Sequence, residues 1–187
     1  MIFISAHADT NYKRVNLRIE GDSYVGYLDN YAGVYTAVKA FFSGEINFDY
    51  VRIELTPDEE IDMRGARQVA KEVKKNDLVI VIDVTGTPTD KDFVIEKCQS
   101  HIVRKFLVKV LDGFSYDIYA DCPDPVANED EVDVYKHKTE YCFFLGIPCH
   151  GGDYNFEDTK CKIRSIEHAA EAVIKICREY DKFIPAE

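Results

Sequence analysis

The chain has no C-x-x-C pair, no long apolar run and few basic residues for its acidic ones. The missing C-x-x-C spacing excludes the usual structural zinc knuckle. Six cysteines are present, Cys98, Cys122, Cys142, Cys149, Cys161 and Cys177. In a chain long enough to build a core without cross-links they read as reduced, mostly buried small hydrophobes. No apolar stretch approaches the roughly 20 residues that span a bilayer. The first residues carry no basic leader, so neither a membrane span nor a signal peptide is expected, and the reading is cytoplasmic. Lys and Arg number 23 against 34 Asp and Glu, for a net charge of −11. That balance argues against nucleic acid or an anionic membrane as partner, since both call for a basic patch. A local cluster of carboxylates built to hold divalent cations has the same signature.

The 187 residues read as one domain, 1–187, with no repeat, low-complexity tract or linker. Apolar runs alternate with helical spacing. "MIFISAH" reads as a buried strand, "RVNLRIE" as a half-exposed one closed by a turn at "GD", "YVRIELT" and "YDIYADC" as strands. "DLVIVIDVTG" is apolar throughout, as a central parallel strand is, and "FVIEKC" reads as a further strand. Helices are expected over "DNYAGVYTAVKAFF", with Val34, Val38 and Phe41 on the apolar stripe and Asp29 or Asn30 as N-cap, and over "MRGARQVAKEVKK" and "HIVRKFLVKVLDG". "EVDVYKHKTEYCFFLG" is expected as a helix stopped by its glycine, "IPCHGG" as a short strand and loop, and "SIEHAAEAVIKICREYDKFI" as a closing helix capped by Ser165. The alternation implies a three-layer α/β/α sandwich around a mixed, mostly parallel sheet.

In such sheets ligands gather beyond the carboxyl ends of the strands. The polar residues expected there are His7 and Asp9 in "SAHADT", Glu59 and Glu60 in "TPDEE", Asp83 in "VIDVTG" and His150 in "IPCHGG", with Asp29 where "GYLDN" enters the first helix. On a strand His7 and Asp9 share a face. All are metal ligands or bases and none is cationic. So many carboxylates in one concavity repel one another unless divalent metal neutralises them. One assignment places His7 and Asp83 on a first metal and Asp29 as a bridge. Glu60 and a second histidine then complete another metal, and Glu59 is free as general base. Singly, each residue has a plainer reading: a polar strand end for His7 and Asp9, a helix N-cap for Asp29, an acidic first turn for Glu59 and Glu60, a turn residue for Asp83, a loop histidine for His150. His101, His137 and His168 fall on expected helices and read as surface residues. Cys149 beside His150 suggests a nucleophile pair, but strand neighbours point apart.

"SAHADT", "GYLDNYAGV", "LTPDEEIDMRGA" and "VIDVTG" follow one another in that order. Together they resemble the co-catalytic di-zinc exopeptidase superfamily, with its peptidase T, leucyl aminopeptidase and glutamyl aminopeptidase branches. "FFLGIPCHGGDYNFEDT" is similar to the corresponding stretch of the leucyl aminopeptidase branch. The resemblance implies two Zn²⁺ ions, with Mn²⁺ or Co²⁺ as substitutes. It implies His7 and Asp83 as ligands of the first ion, Asp9 as the support of His7, and Asp29 as the bridge before a cis peptide to Asn30. Glu60 is then a ligand of the second ion and Glu59 the general base. The histidine that the leucyl aminopeptidase branch carries near the last helix is absent, Tyr154 or Asn155 standing in its place, and His150 is taken as the substitute. Short intervals leave no room for a lid or dimerisation insertion. The implied activity is hydrolysis of a small peptide or amide substrate, with an aminopeptidase first. A deacylase or amidohydrolase of non-peptide amides and a non-catalytic metal-binding module are the rivals. Asp153, Glu157 or Asp158 would receive a substrate ammonium. Oligomeric state is left open.

Overall fold

The computed structural model describes residues 1–12, 16–124, 129–151 and 157–183. Nine strands are formed among them. They are β1 (Ile2–His7), β2 (Arg18–Glu20), β3 (Ser23–Gly26), β4 (Val51–Thr56), β5 (Leu78–Thr85), β6 (Phe93–Glu96), β7 (Tyr116–Ile118), β8 (Cys142–His150) and β9 (Thr159–Lys162). The helices are α1 (Tyr31–Phe42), α2 (Glu59–Asp62), α3 (Arg64–Val69), α4 (His101–Val110), α5 (Glu131–Tyr135) and α6 (Ile163–Arg178). The sheet runs β2-β3-β9-β8-β5-β1-β4, with β6 joined to β8 and β7 to β6. Its centre, β8-β5-β1-β4, is parallel, and antiparallel pairs extend it through β9, β3 and β2 on one flank and through β6.

Strand alternation sorts the core into two layers. Ile2, Ile4, Ile80, Ile82, Leu145 and Ile147 face α1, α4 and α6. Phe3, Val79, Val81, Cys142 and Phe144 face the other way, onto Ala66 of α3 and Val132 and Tyr135 of α5. The result is an α/β fold with helices on both sides of a mixed sheet.

Three of the expected helices are formed differently. "YCFFLG" is not the end of a helix. α5 stops at Tyr135, and Cys142–Gly146 opens the nine-residue strand β8, which "IPCH" completes. A continuous apolar run fits a buried strand as well as a helix, and its place beside β5 decides for the strand. α6 begins at Ile163 with Lys162 in the cap position, so Ser165 lies buried inside its first turn and caps nothing. α3 ends at Val69, before the basic stretch expected to finish it.

α1 is capped by Asn30, whose Oδ1 accepts from the Gly33 amide at 2.8 Å. Its buried face is Ala32, Gly33, Thr36, Ala37 and Ala40, while Val34 and Val38 are half-buried and Phe41 is exposed. The stripe is made of small residues because the helix lies close to the sheet. A Cβ on Gly33 would stand 2.5 Å from the Ile82 carbonyl and 2.2 Å from Asn30 Oδ1.

Candidate metal centre

The parallel strands end on one side, and the candidate residues gather there. β1 delivers His7 at its last position, and Asp9 follows in the loop. β4 leads into Pro57-Asp58 and then Glu59 and Glu60, the first residues of α2. β5 carries Asp83, level with Gly146 of β8. Asp29 immediately precedes the α1 cap, and its bond to Asn30 is cis, as the resemblance implies. Asn30 ties this corner to the sheet by donating Nδ2 to the Ile82 carbonyl at 2.8 Å.

His7 is 2% exposed and stands at the centre. Its Nε2 lies 3.0 Å from Asp29 Oδ1 and 3.3 Å from Asp83 Oδ2. Its Nδ1 lies 3.5 Å from Asp9 Oδ1 and has no hydrogen-bond partner. One imidazole nitrogen thus faces two carboxylates at once. His7 is shared by two groups of three candidate ligand atoms, each group lying within 4.8 Å: His7 with Asp29 and Asp83, and His7 with Glu59 and Glu60.

Asp9 has a second task that the sequence does not disclose. Its Oδ1 accepts from the Glu59 amide at 3.1 Å and its Oδ2 from the Glu60 amide at 3.2 Å. α2 has only four residues, and its own N-cap, Asp58, makes no side-chain cap bond. Asp9 satisfies those amides from another loop and fixes the two glutamates relative to His7. Gly65 completes the turn: a Cβ there would come within 2.5 Å of Pro57, so α3 can pack against the "TPDEE" loop only through glycine.

The electrostatics are those of an acidic cluster with one imidazole. Burial pushes the Glu59 carboxyl up, with Asp83, Glu60 and Asp29 adding to it against His7, to about 8. Burial and then Asp29 raise Glu60, and burial raises Asp83 although His7 opposes it. For His7 burial works downward, but Asp83 and Asp29 outweigh it and its basicity is raised. Glu60 Oε2 accepts from Asn11 Nδ2 at 2.9 Å, while the buried Glu60 Oε1 has no hydrogen-bond partner. Unpartnered ligand atoms on His7 and Glu60 beside clustered carboxylates fit a divalent metal, whose charge would relieve both the repulsion and the missing bonds.

Behind the centre lies a buried network absent from the sequence expectation. Ser5 Oγ donates to Glu131 Oε2 at 2.7 Å and lies 3.0 Å from the Tyr135 hydroxyl. Thr56 Oγ1 donates to Glu131 Oε1. Glu131 is 1% exposed, and burial raises its carboxyl. The network clamps β1 and β4 just before His7 and the glutamates.

The remaining candidates fare differently. His150 is exposed, ends β8 opposite Lys160 of β9, and belongs to neither ligand group. By strand alternation it falls on the same face as Phe144 and Gly146, which is the face of Asp83. Asp153, Tyr154 and Asn155 lie outside the described residues. Asp158 is already engaged, accepting from Arg18 Nη1 at 2.6 Å and Asn16 Nδ2 at 3.2 Å, so it does not await a substrate ammonium; Glu157 is exposed. Cys149 is buried opposite Cys161, which with burial drives its thiol well up, the reverse of an activated nucleophile. No disulfide joins any of the six cysteines. His101 and His137 are exposed, but His168 is half-buried, its Nδ1 2.7 Å from the buried Asp92. Among the described residues no helix is long and apolar enough to cross a membrane.

No family model matches the chain, and no curated protein matches it. Solved structures do. The TET aminopeptidase from a marine sediment archaeon of the Thaumarchaeota superposes with a TM-score of 0.72 at 13% identity, over 91% of this chain and 54% of that one. An aminopeptidase from the archaeon Desulfurococcus kamchatkensis gives 0.71 at 15% identity, over 91% and 53%. An M18-family aminopeptidase from Thermotoga maritima gives 0.64 at 14% identity, over 86% and 48%. The chain spans about half the length of the structures it matches. At these identities the likeness is one of fold: the chain is folded as these aminopeptidases are, over most of its length.

Proposed function

We propose that the chain is a metal-dependent hydrolase of peptide bonds, acting as an aminopeptidase through a dinuclear zinc site. The observation that carries the reading is the convergence of Asp29, Asp83, Glu59 and Glu60 on one buried histidine. His7, Asp83 and Asp29 would hold a first ion, and Glu60 with Asp29 and His150, which strand parity puts on the same face, would hold the second. Manganese or cobalt suits the same donors. The metals supply polarisation of the amide carbonyl and acidification of water.

Glu59 is the general base. It accepts the proton of the attacking water and returns it to the departing amine. Burial, the largest cause of its raised basicity, favours the protonated form and supports a role in taking up and returning a proton. Asp9 positions its backbone by accepting from its amide at 3.1 Å. The substrate is a small peptide with a free α-amine.

The test is hydrolysis of peptides with free and acetylated N-termini by zinc-loaded wild type and Glu59→Gln, with metal content measured on both. Two ions per chain in each, with turnover of the free-amine peptide lost only in the variant, is expected. Equal activity in the two proteins refutes Glu59 as base, and preference for the acetylated peptide refutes the aminopeptidase.

A further inference from the structure

β4 is the last strand of the sheet, and among the described residues nothing pairs with its outer side. Backbone amides of β1 and the residue after it bond to Tyr50 (from Ile2, 2.8 Å) and to Thr56 (from Ala8, 2.8 Å). In a parallel ladder alternate residues face each neighbour. The even positions therefore turn their backbone to β1, and Val51, Ile53 and Leu55 present theirs outward. An edge of this kind is a template for a further strand.

The side chains say which strand fits. Val51, Ile53 and Leu55 lie on the α1 side, where Phe41, Phe42 and Phe48 border them in a shallow apolar groove of about 440 Å³. Phe42 is 77% exposed and Leu55 46%. Arg52 and Glu54 lie on the opposite face, with Arg52 Nη2 2.5 Å from Glu54 Oε1 and Nη1 2.5 Å from Glu72 Oε2.

We propose that β4 pairs antiparallel with β4 of a second copy of this chain, about a twofold axis through Ile53. In that register Ile53 meets Ile53 and each Val51 meets the other copy's Leu55, all with outward-facing backbone, so every bare amide and carbonyl of the edge is satisfied. Between them each Arg52 stands opposite a Glu54, in the non-hydrogen-bonded pairs where side chains approach closest. Moving the axis by one residue along the strand would put Arg52 against Arg52 or Glu54 against Glu54. The strand is thus self-complementary in charge in one register and self-repelling in the adjacent ones. The phenylalanines of both copies close over the apolar face, where they would otherwise form an exposed patch. A contact of this type is isologous and closes as a dimer.

The test is sedimentation equilibrium of the full chain over a concentration series, with circular dichroism as the check on folding. Wild type is expected to be a dimer. Arg52→Glu makes the charged face of the strand all acidic and Glu54→Arg makes it all basic. Each alone should weaken the dimer by at least about tenfold, and an equimolar mixture of the two should restore it, since an acidic strand then pairs with a basic one at both charged positions. Leu55→Lys, at a side chain already exposed, should weaken self-association without disturbing the fold. A monomeric wild type, a dimer indifferent to these variants, or a mixture no stronger than its components overturns the proposal.

Discussion

Removing a carboxylate from the centre should make the metal-free protein more stable, not less. Glu59 has an ordinary value of 4.5 and is held at about 8. A carboxyl whose folded value lies above its unfolded one favours folding most when protonated. The stability it contributes is full below 4.5 and is lost as the pH rises through about 8. Asp83 and Glu60 are raised by burial too, so their losses have the same sign. His7, in which Asp83 and Asp29 outweigh burial, likewise loses stability as the pH climbs above its ordinary 6.5. At about 1.36 kcal/mol per pH unit the Glu59 shift has a ceiling of about 5 kcal/mol. Glu59 is partly exposed, and solvent screening reduces the figure to about 2 kcal/mol. In a domain of this size that is about 4–8 °C of melting temperature.

The assay is thermal unfolding by circular dichroism, in chelator, at pH 5.5 and pH 8. Chelated wild type should melt several degrees lower at the higher pH. Glu59→Gln should be flatter and, at pH 8, more stable than wild type by about 2 kcal/mol. Zinc at about 100 times its dissociation constant should add about 2.7 kcal/mol per ion bound to wild type at pH 8. It should add nearly as much to Glu59→Gln, whose changed side chain is not a ligand, and little to Asp83→Asn. A chelated wild type no less stable at pH 8, with Glu59→Gln no better than it, would refute the cluster of mutually repelling carboxylates from which the metal site is argued.

Asp9→Ala frees the Glu59 and Glu60 amides and the support of His7, so zinc affinity should fall about 10–100-fold by competition titration. Gly33→Ala drives a methyl into Asn30 Oδ1 and the Ile82 carbonyl. It should cost about 1–3 kcal/mol in chemical denaturation and loosen zinc binding through Asp29. His150→Ala should lose one of two ions on dialysis; unchanged metal stoichiometry would return His150 to the role of a solvated strand end.

What the sequence discloses, and what it withholds, follows the range of the interactions. "DLVIVIDVTG" and "MIFISAH" are legible because a strand buried on both faces must be apolar at every position. The candidate residues are legible because chemistry restricts their types and the strand ends restrict their places. β8 is ambiguous because its first half, preceded by the short helix α5, satisfies both periods locally, and only its pairing with β5 separates them. β3 and β9 are hidden for a related reason. Each has four residues, and they exist by pairing with one another across most of the chain's length. Glu131 is invisible altogether. In "NEDEVDVY" it looks like a solvated first-turn acid, and its neighbour Asp130 is the one that caps α5. Its true partners, Ser5 and Thr56, are small polar residues of two other strands.

The same contacts give the acidic composition a place. Among the described residues several lysines and arginines pair away from the centre: Arg64 with Asp58, Lys97 with Asp130 and Asp133, Arg18 with Glu20 and Asp158, Arg52 with Glu54 and Glu72. Arg64 is the instructive case. It lies one helical turn's distance in sequence from Glu60, yet its guanidinium turns back to Asp58, with Nη2 at 2.7 Å and Nε at 3.0 Å, at the outer edge of the turn. A neighbour able to neutralise the glutamates is thus occupied elsewhere. Were the cluster only structural, such a cation would be the simplest way to stabilise it. Its diversion, together with the bare Nδ1 of His7 and Oε1 of Glu60, leaves a site whose charge an incoming cation is suited to balance.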